Sequence, residues 1–477
     1  MNIDIFSNYA ERAVNIVLRF FMIPIYLNIL GVSAYGLIGF YITISSMMVL
    51  LDFGMGYASM KALAESNHEN MKDTVKILKS VEVIYLLISL LIGVSVLITS
   101  KWIAQIWLTI DDPKIDGTKA IILMAILLLV SWPQSLYQSF LAGQKRFVKM
   151  NILLIIVNLI MTAGMLYYIY YRREGVECYF IVMIVCMTIQ TVALRFLAWQ
   201  DLPKAQMFAV PKELKAFFKY ASGVSIFSVS SLIFFQAPAF YISTKLSTSE
   251  LGIYNVALTF PVAMLTLLYP ITSASFPRVV RISESQEAVR AFTKSSSLLS
   301  IISICFLLML TINMSGIYSI WLKGVTEIIA VTKISQILLA CIFMYACQMM
   351  LAGIFLSNGK TTVLASCYLF AIAILAISLL TLGSRGLLGV VYSWLIMNIS
   401  LTLAVACSFY NIYKQIFTMW AKIMTQNIML SLPAIMSFVV LMKVPQLSGI
   451  YAKFILSGLI TTMSFVFPFI KAINKKC

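Results

Sequence analysis

Charge is what this sequence has least of. Only 11% of its 477 residues are Asp, Glu, Lys or Arg, against about 25% in an ordinary soluble domain. That scarcity excludes a solvated globular surface. Histidine is nearly absent: His68 is the single one, in the stretch Glu65–Asn70. This excludes histidine-based metal clusters and nucleophilic triads. The eight cysteines show no CxxC spacing, and Cys186, Cys305, Cys341, Cys347, Cys367 and Cys407 lie inside apolar runs. They read as small buried hydrophobes, not as ligands or bridges. The net charge is +17, yet no block of Lys or Arg and no nucleic-acid motif accompanies it. NGKT (358–361) lacks the first glycine of a phosphate loop, because Ile354 stands there. No paired carboxylates or catalytic constellation can be assembled, so the reading is not an enzyme, and no cofactor is called for.

What the chain has in abundance is apolar sequence. Hydrophobic residues make up 61%, in run after run of the roughly 20 residues that cross a bilayer. Strand alternation of the barrel type is missing. The expected fold is an all-α polytopic membrane protein. Spans fall near 9–30, 36–58, 81–100, 119–141, 152–171, 178–198, 220–244, 252–276, 296–316, 334–356, 362–382, 388–410, 424–442 and 450–470. The opening, with its acidic residue and no basic n-region, reads as a first span rather than a signal peptide. Lys and Arg favour one set of loops by roughly two to one. That bias puts both termini in the cytoplasm.

The chain repeats itself. LGVSAYG (30–36) matches LSTSELG (246–252), and FLAGQKRFV (140–148) matches FLSNGKTTV (355–363). Lys61 matches Arg278 at nearly the same offset, about 216 residues. The expected domains are a six-helix lobe at 1–200, a second at 213–412, and two additional helices with a tail at 413–477. Two parallel six-span lobes are a transporter plan, with substrate between them and alternating access by rocking.

The first span carries an energetic anomaly. Arg12 and Arg19, with Asn8 and Asn15, fall at i, i+4, i+7 and i+11, one face of a helix. A guanidinium in lipid costs about 3 kcal/mol or more, so it must face protein or water. The stripe points to a wet cavity for an anion. Arg19 sits near the midplane, as a cavity cation or as the partner of Asp52. Asp52, read as the sole acid deep in a span, is either a proton-coupling group or a structural ion-pair partner. Ser225 and Gln236 form a polar stripe on the seventh span, expected to face the first across the cavity. Pro24, Pro133, Pro238, Pro261 and Pro270 interrupt helices within the membrane. Gln134, Gln138, Gln348 and Asn398 read as helix–helix glue.

Several of these residues also carry a resemblance. Asn8, Arg12 and Pro24, then LGVSAYG, then LLDFGMGYASMKALAE (50–65) resemble the polysaccharide-export branch of the multidrug/oligosaccharidyl-lipid/polysaccharide exporter superfamily. ELGIYNVA (250–257), Phe276–Pro277 and TLGSRGLLGVVYSW (381–394) add to it. The resemblance implies a MATE-like fold and a Wzx-type flippase. It implies an undecaprenyl-diphosphate-linked sugar repeat unit as cargo, moved from the cytoplasmic to the periplasmic leaflet of the bacterial inner membrane. The product would feed O-antigen (lipopolysaccharide) or capsule synthesis, with membrane lipids and the pathway's polymerase and chain-length regulator as partners. The alternative is an ion-coupled exporter of small soluble compounds. A membrane glycosyltransferase of the same pathway would need a large loop or catalytic carboxylates, and neither is present.

Overall fold

In the computed structural model, residues 2–66, 70–172, 175–203, 217, 225–275, 279 and 285–443 are described. His68, Phe276, Pro277, Arg278 and the expected fourteenth span lie outside them. Among the described residues there is no strand. A single parallel bridge joins Thr109 and Ser247.

The helices follow the hydrophobic runs: α1 (Asn2–Leu30), α2 (Val32–Met47), α3 (Met55–Glu65), α4 (Met71–Trp102), α5 (Gly117–Ser131), α6 (Gln134–Gly143), α7 (Phe147–Tyr167) and α8 (Val176–Trp199). Then come α9 (Ser225–Lys245), α10 (Thr248–Ala257), α11 (Thr259–Ser275), α12 (Gln286–Trp321), α13 (Ile328–Ser357), α14 (Thr361–Leu382), α15 (Leu387–Ile412) and α16 (Lys414–Lys443). Each expected span from the first to the thirteenth coincides with a helix or a broken pair of helices. Ten helices or continuous helix pairs among the described residues are long and apolar enough to cross a bilayer. Ile98 is 78% exposed and Leu380 85%. Side chains that apolar are left uncovered because lipid, not water, is the solvent around them. This is a polytopic helical membrane protein.

Breaks and starts have local causes. Pro133 separates α5 from α6, since it offers no N–H to the preceding turn. Pro24, Pro238 and Pro270 lie inside continuous helices. The side chain of Asp116 accepts from the Lys119 N–H to start α5, and Ser285 accepts from Ala288 N–H to start α12.

The chain divides into two compact units, residues 1–252 and 253–477. In the first, α1 packs on α7 and α2, α3 on α6, α5 on α4 and α8, and α9 on α2. Its largest fully buried side chains include Tyr85, Tyr137, Phe140 and Phe180. In the second, α13 packs on α11, α12 and α15, α14 on α15, and α16 on α12. Trp394, Tyr318, Tyr368, Phe355 and Phe409 fill its core.

The two matching heptapeptides meet within the first unit. A Cβ on Gly36 would collide with the Thr248 carbonyl oxygen, and one on Gly252 would collide with that of Val32. Val32 and Thr248 hold equivalent places in the two stretches, as do Gly36 and Gly252. The contact is therefore reciprocal, as across a twofold axis. Glycine is required on both sides because backbone meets backbone. Asp111 ties the joint off: its Oδ1 lies 2.7 Å from the Ser33 hydroxyl and 2.9 Å from that of Thr248. Burial draws the Asp111 carboxyl upward, but hydrogen bonds from Ser249, Ser33 and Thr248 outweigh it and hold the group below the usual carboxylate range.

Candidate functional site

The polar stripe of α1 divides into two functions. Asn151 of α7 donates to Asn8 Oδ1 at 2.6 Å and to Ser7 Oγ at 3.0 Å. Asn158 donates to Asn15 Oδ1 at 2.7 Å. Both partners advance together along the chain, so the two helices run parallel and in register. Asn15 also donates to the Glu11 carboxylate. The asparagines are spent on holding α7, which is ordinary interhelical bonding in a membrane.

The arginines are not spent in this way. Both are exposed, and no carboxylate lies within 4.0 Å of either among the described residues. Arg19 lines a cavity of about 280 Å³ with Asn15, Tyr26, Tyr35, Asn158 and Tyr179. The walls come from α1, α2, α7 and α8, and Tyr26 meets Tyr179 edge to face at 5.3 Å. The cavity thus pairs one fixed cation with amides and phenols. That set can bind an anion through charge-assisted hydrogen bonds. Arg12 does not line it; its charge acts on the adjacent Glu11.

Asp52 is not the partner of Arg19. It ends a 3₁₀ turn (Met48–Asp52), after which Phe53 and Gly54 take left-handed backbone conformations with φ of 47° and 77°. The turn aims the carboxylate back at its own chain and at α4. Oδ1 accepts from the Tyr85 hydroxyl and from the Gly56 N–H at 3.1 Å. A Cβ on Gly56 would come 2.9 Å from Ser139 Oγ of α6. The Asp-x-Gly-x-Gly spacing is thereby explained: one glycine for the turn, one for close approach. Asp52, Tyr57, Tyr85, Trp132, Gln138 and Ser139 face a second cavity of about 410 Å³.

Of the seventh-span stripe, the structure describes the side chain of Gln236 alone. Gln236 is half-buried in α9 and is not among the lining residues of the Arg19 cavity. Ser225 opens α9, and its side chain lies outside the described residues. The C-terminal end of α9 is pinned by Trp107, whose indole N–H donates to Ser243 Oγ at 3.2 Å. Gln134 is helix glue as expected, donating to Thr191 and accepting from Gln190. Gln138 differs: it faces the second cavity and makes no hydrogen bond among the described residues.

Sequence reasoning missed Glu82. It is 5% exposed in α4, so Asp52 is not the sole acid within the helical body. Its Oε1 accepts from Tyr137 Oη at 2.8 Å, Arg195 Nε at 2.8 Å and Trp199 Nε1 at 3.1 Å. The cluster joins α4, α6 and α8. An isolated acid at the margin of a hydrophobic run gives no such signal. Its partners lie 55 to 117 residues away.

The model of a polysaccharide biosynthesis protein family matches residues 4–283. The chain belongs to that family. A search of curated proteins gives no match. Among solved structures, this family member is similar to the lipid II flippase MurJ in an inward closed conformation. The TM-score is 0.75 at 14% identity, covering 100% of this chain and 99% of that one. It also resembles an inward-facing multidrug resistance MATE transporter of the MOP superfamily, with a TM-score of 0.64, 13% identity, and 85% and 95% coverage. A MOP superfamily transporter from Pyrococcus furiosus, described as having a binding pocket of reversed polarity, gives 0.54 at 13%, with 87% and 94% coverage. These likenesses establish a MATE-like fold. The flippase-family resemblance read from the first two spans thus falls inside a matched family segment and a matching fold.

Proposed function

We propose that the protein flips a lipid-diphosphate-linked oligosaccharide across the bacterial inner membrane, from the cytoplasmic to the periplasmic leaflet. The cargo on this reading is an undecaprenyl-diphosphate-linked repeat unit for O-antigen or capsule, and the mechanism is alternating access. One observation carries it: Arg19, unpaired by any carboxylate among the described residues, faces a cavity of amides and phenols inside an apolar helix. A guanidinium kept there without a protein anion is poised for a ligand anion, and its planar fork fits a diphosphate. The family match and the likeness to a lipid II flippase support this choice of cargo. Both termini lie in the cytoplasm on this reading, and the polymerase and chain-length regulator of the pathway receive the product.

The other reading, an ion-coupled exporter of small soluble compounds, draws on the Asp52 carboxylate facing its own cavity. An exporter of cations is poorly served by the Arg19 cavity. The test is Arg19→Ala and Arg19→Lys in a strain whose own gene is deleted. Loss of a charge-assisted bond to phosphate costs about 1.5–3 kcal/mol, a tenfold effect or more on binding. Surface polysaccharide should fall steeply in the alanine variant and less in the lysine variant, with membrane insertion unchanged. Normal polysaccharide from both variants removes Arg19 from the cargo path.

A further inference from the structure

The second cavity holds hydrogen-bonding groups that the fold itself does not use. Asp52 spends Oδ1 on Tyr85 and Gly56, while Oδ2 has no hydrogen bond among the described residues. The Gln138 amide is likewise unspent. Tyr57 offers a ring that is 51% exposed, and the cavity wall also holds the buried Tyr85 and Trp132 rings, stacked at 5.1 Å. The volume, about 410 Å³, lies in the range of small-molecule sites.

We propose that this cavity binds a hydroxyl-rich, non-acidic sugar ring of the transported glycan; the proposal rests on the flippase reading above. A pyranose has hydroxyl donors for a carboxylate oxygen, and both donors and acceptors for an amide. One of its C–H faces can pack on the exposed Tyr57 ring. Asp52 is the one carboxylate on the lining, too few for a metal site, and no group of three metal-ligating side chains occurs among the described residues. The same carboxylate repels an acidic sugar. Position agrees as well. Tyr41 lines this cavity and Ile42, the next residue of α2, lines the Arg19 cavity.

The full-length protein in nanodiscs is titrated with three probes: undecaprenyl diphosphate, its glucosyl derivative and its glucuronyl derivative. The readout is the ratio of affinities. Wild type should bind the glucosyl probe about tenfold tighter than the bare diphosphate, as one hydrogen bond to a charged group allows. Asp52→Asn and Gln138→Ala should each pull that ratio towards one. Gln138 makes no hydrogen bond to other described residues, so its variant guards against misfolding at the Asp52 turn. A ratio of one in wild type, a ratio unmoved by both variants, or equal binding of the glucuronyl probe overturns the sugar site. An Asp52→Asn variant that alters only the pH dependence of transport overturns it too and assigns Asp52 to coupling. Failure of wild type to bind any of the three lipids overturns the flippase reading itself.

Discussion

Glu82 and Arg19 are both charges on apolar helices, and they are accommodated in opposite ways. Three donors converge on Glu82 Oε1, so its cost is met within the fold. Removing it leaves the Tyr137 hydroxyl buried without a partner. Glu82→Ala should therefore destabilise the protein by about 2–4 kcal/mol, read as detergent unfolding by heat or denaturant. Arg195→Ala should cost much less, about 1 kcal/mol or below, because the Arg195 side chain is 58% exposed and screened by solvent. Equal losses from the two variants would mean that the ion pair, not the buried acceptor, supports the cluster. Arg19 has no such internal partner among the described residues, which is why its variants are expected to act on transport rather than on stability. The sequence made the arginines conspicuous and left Glu82 unnoticed. The hydrophobic pattern marks charges inside a run. It does not show that α4 extends well beyond that run and carries Glu82 into the body.

The joint between α2 and α10 is the element-scale feature with the sharpest consequence. Gly36 and Gly252 let two helix starts touch backbone to backbone. Gly36→Ala should part them, at about 1–3 kcal/mol if the contact is kept by force. The parting is measured by labelling Ser33→Cys with a membrane-impermeant thiol reagent. Ser33 is 6% exposed, so labelling should be slow while Gly36 is kept and fast once Gly36→Ala is added. Acid should loosen the same joint. The Asp111 carboxyl is held below its ordinary value, so its contribution is complete above about pH 3.9 and is lost as pH falls through the lowered folded value. Because the reactive thiolate itself disappears as pH falls, labelling is read as a ratio to that of a solvent-exposed cysteine; this ratio should rise in the acid window and stay flat with pH in Asp111→Asn. The repeat itself was legible in the heptapeptides. That the two copies touch each other, with Asp111 from a third segment beside them, was not. Sequence similarity carries no distance.

For the whole molecule, the loop-charge bias predicts a definite orientation. Lys114→Cys, between α4 and α5, should react with an impermeant thiol reagent from the periplasmic side. Lys145→Cys and Lys360→Cys should react only after the cytoplasmic side is opened. Periplasmic labelling of Lys360→Cys would reverse the assigned topology. The division at residues 252 and 253 also places α9 with the first unit, packed on α2.

The sequence by itself determined the class, the order of the spans among the described residues, and the anomaly of Arg12 and Arg19. Apolar runs of spanning length have few other stable outcomes in lipid, where every backbone group must be satisfied within its own helix. Only the tertiary structure decided which polar residues are spent. Asn8 and Asn15 hold α7, Asp52 turns to Tyr85 and Gly56, Glu82 gathers three donors, and Arg19 and Gln138 face cavities. Hydrogen bonding depends on partners brought together from distant segments, and helical periodicity fixes a face without saying what that face meets.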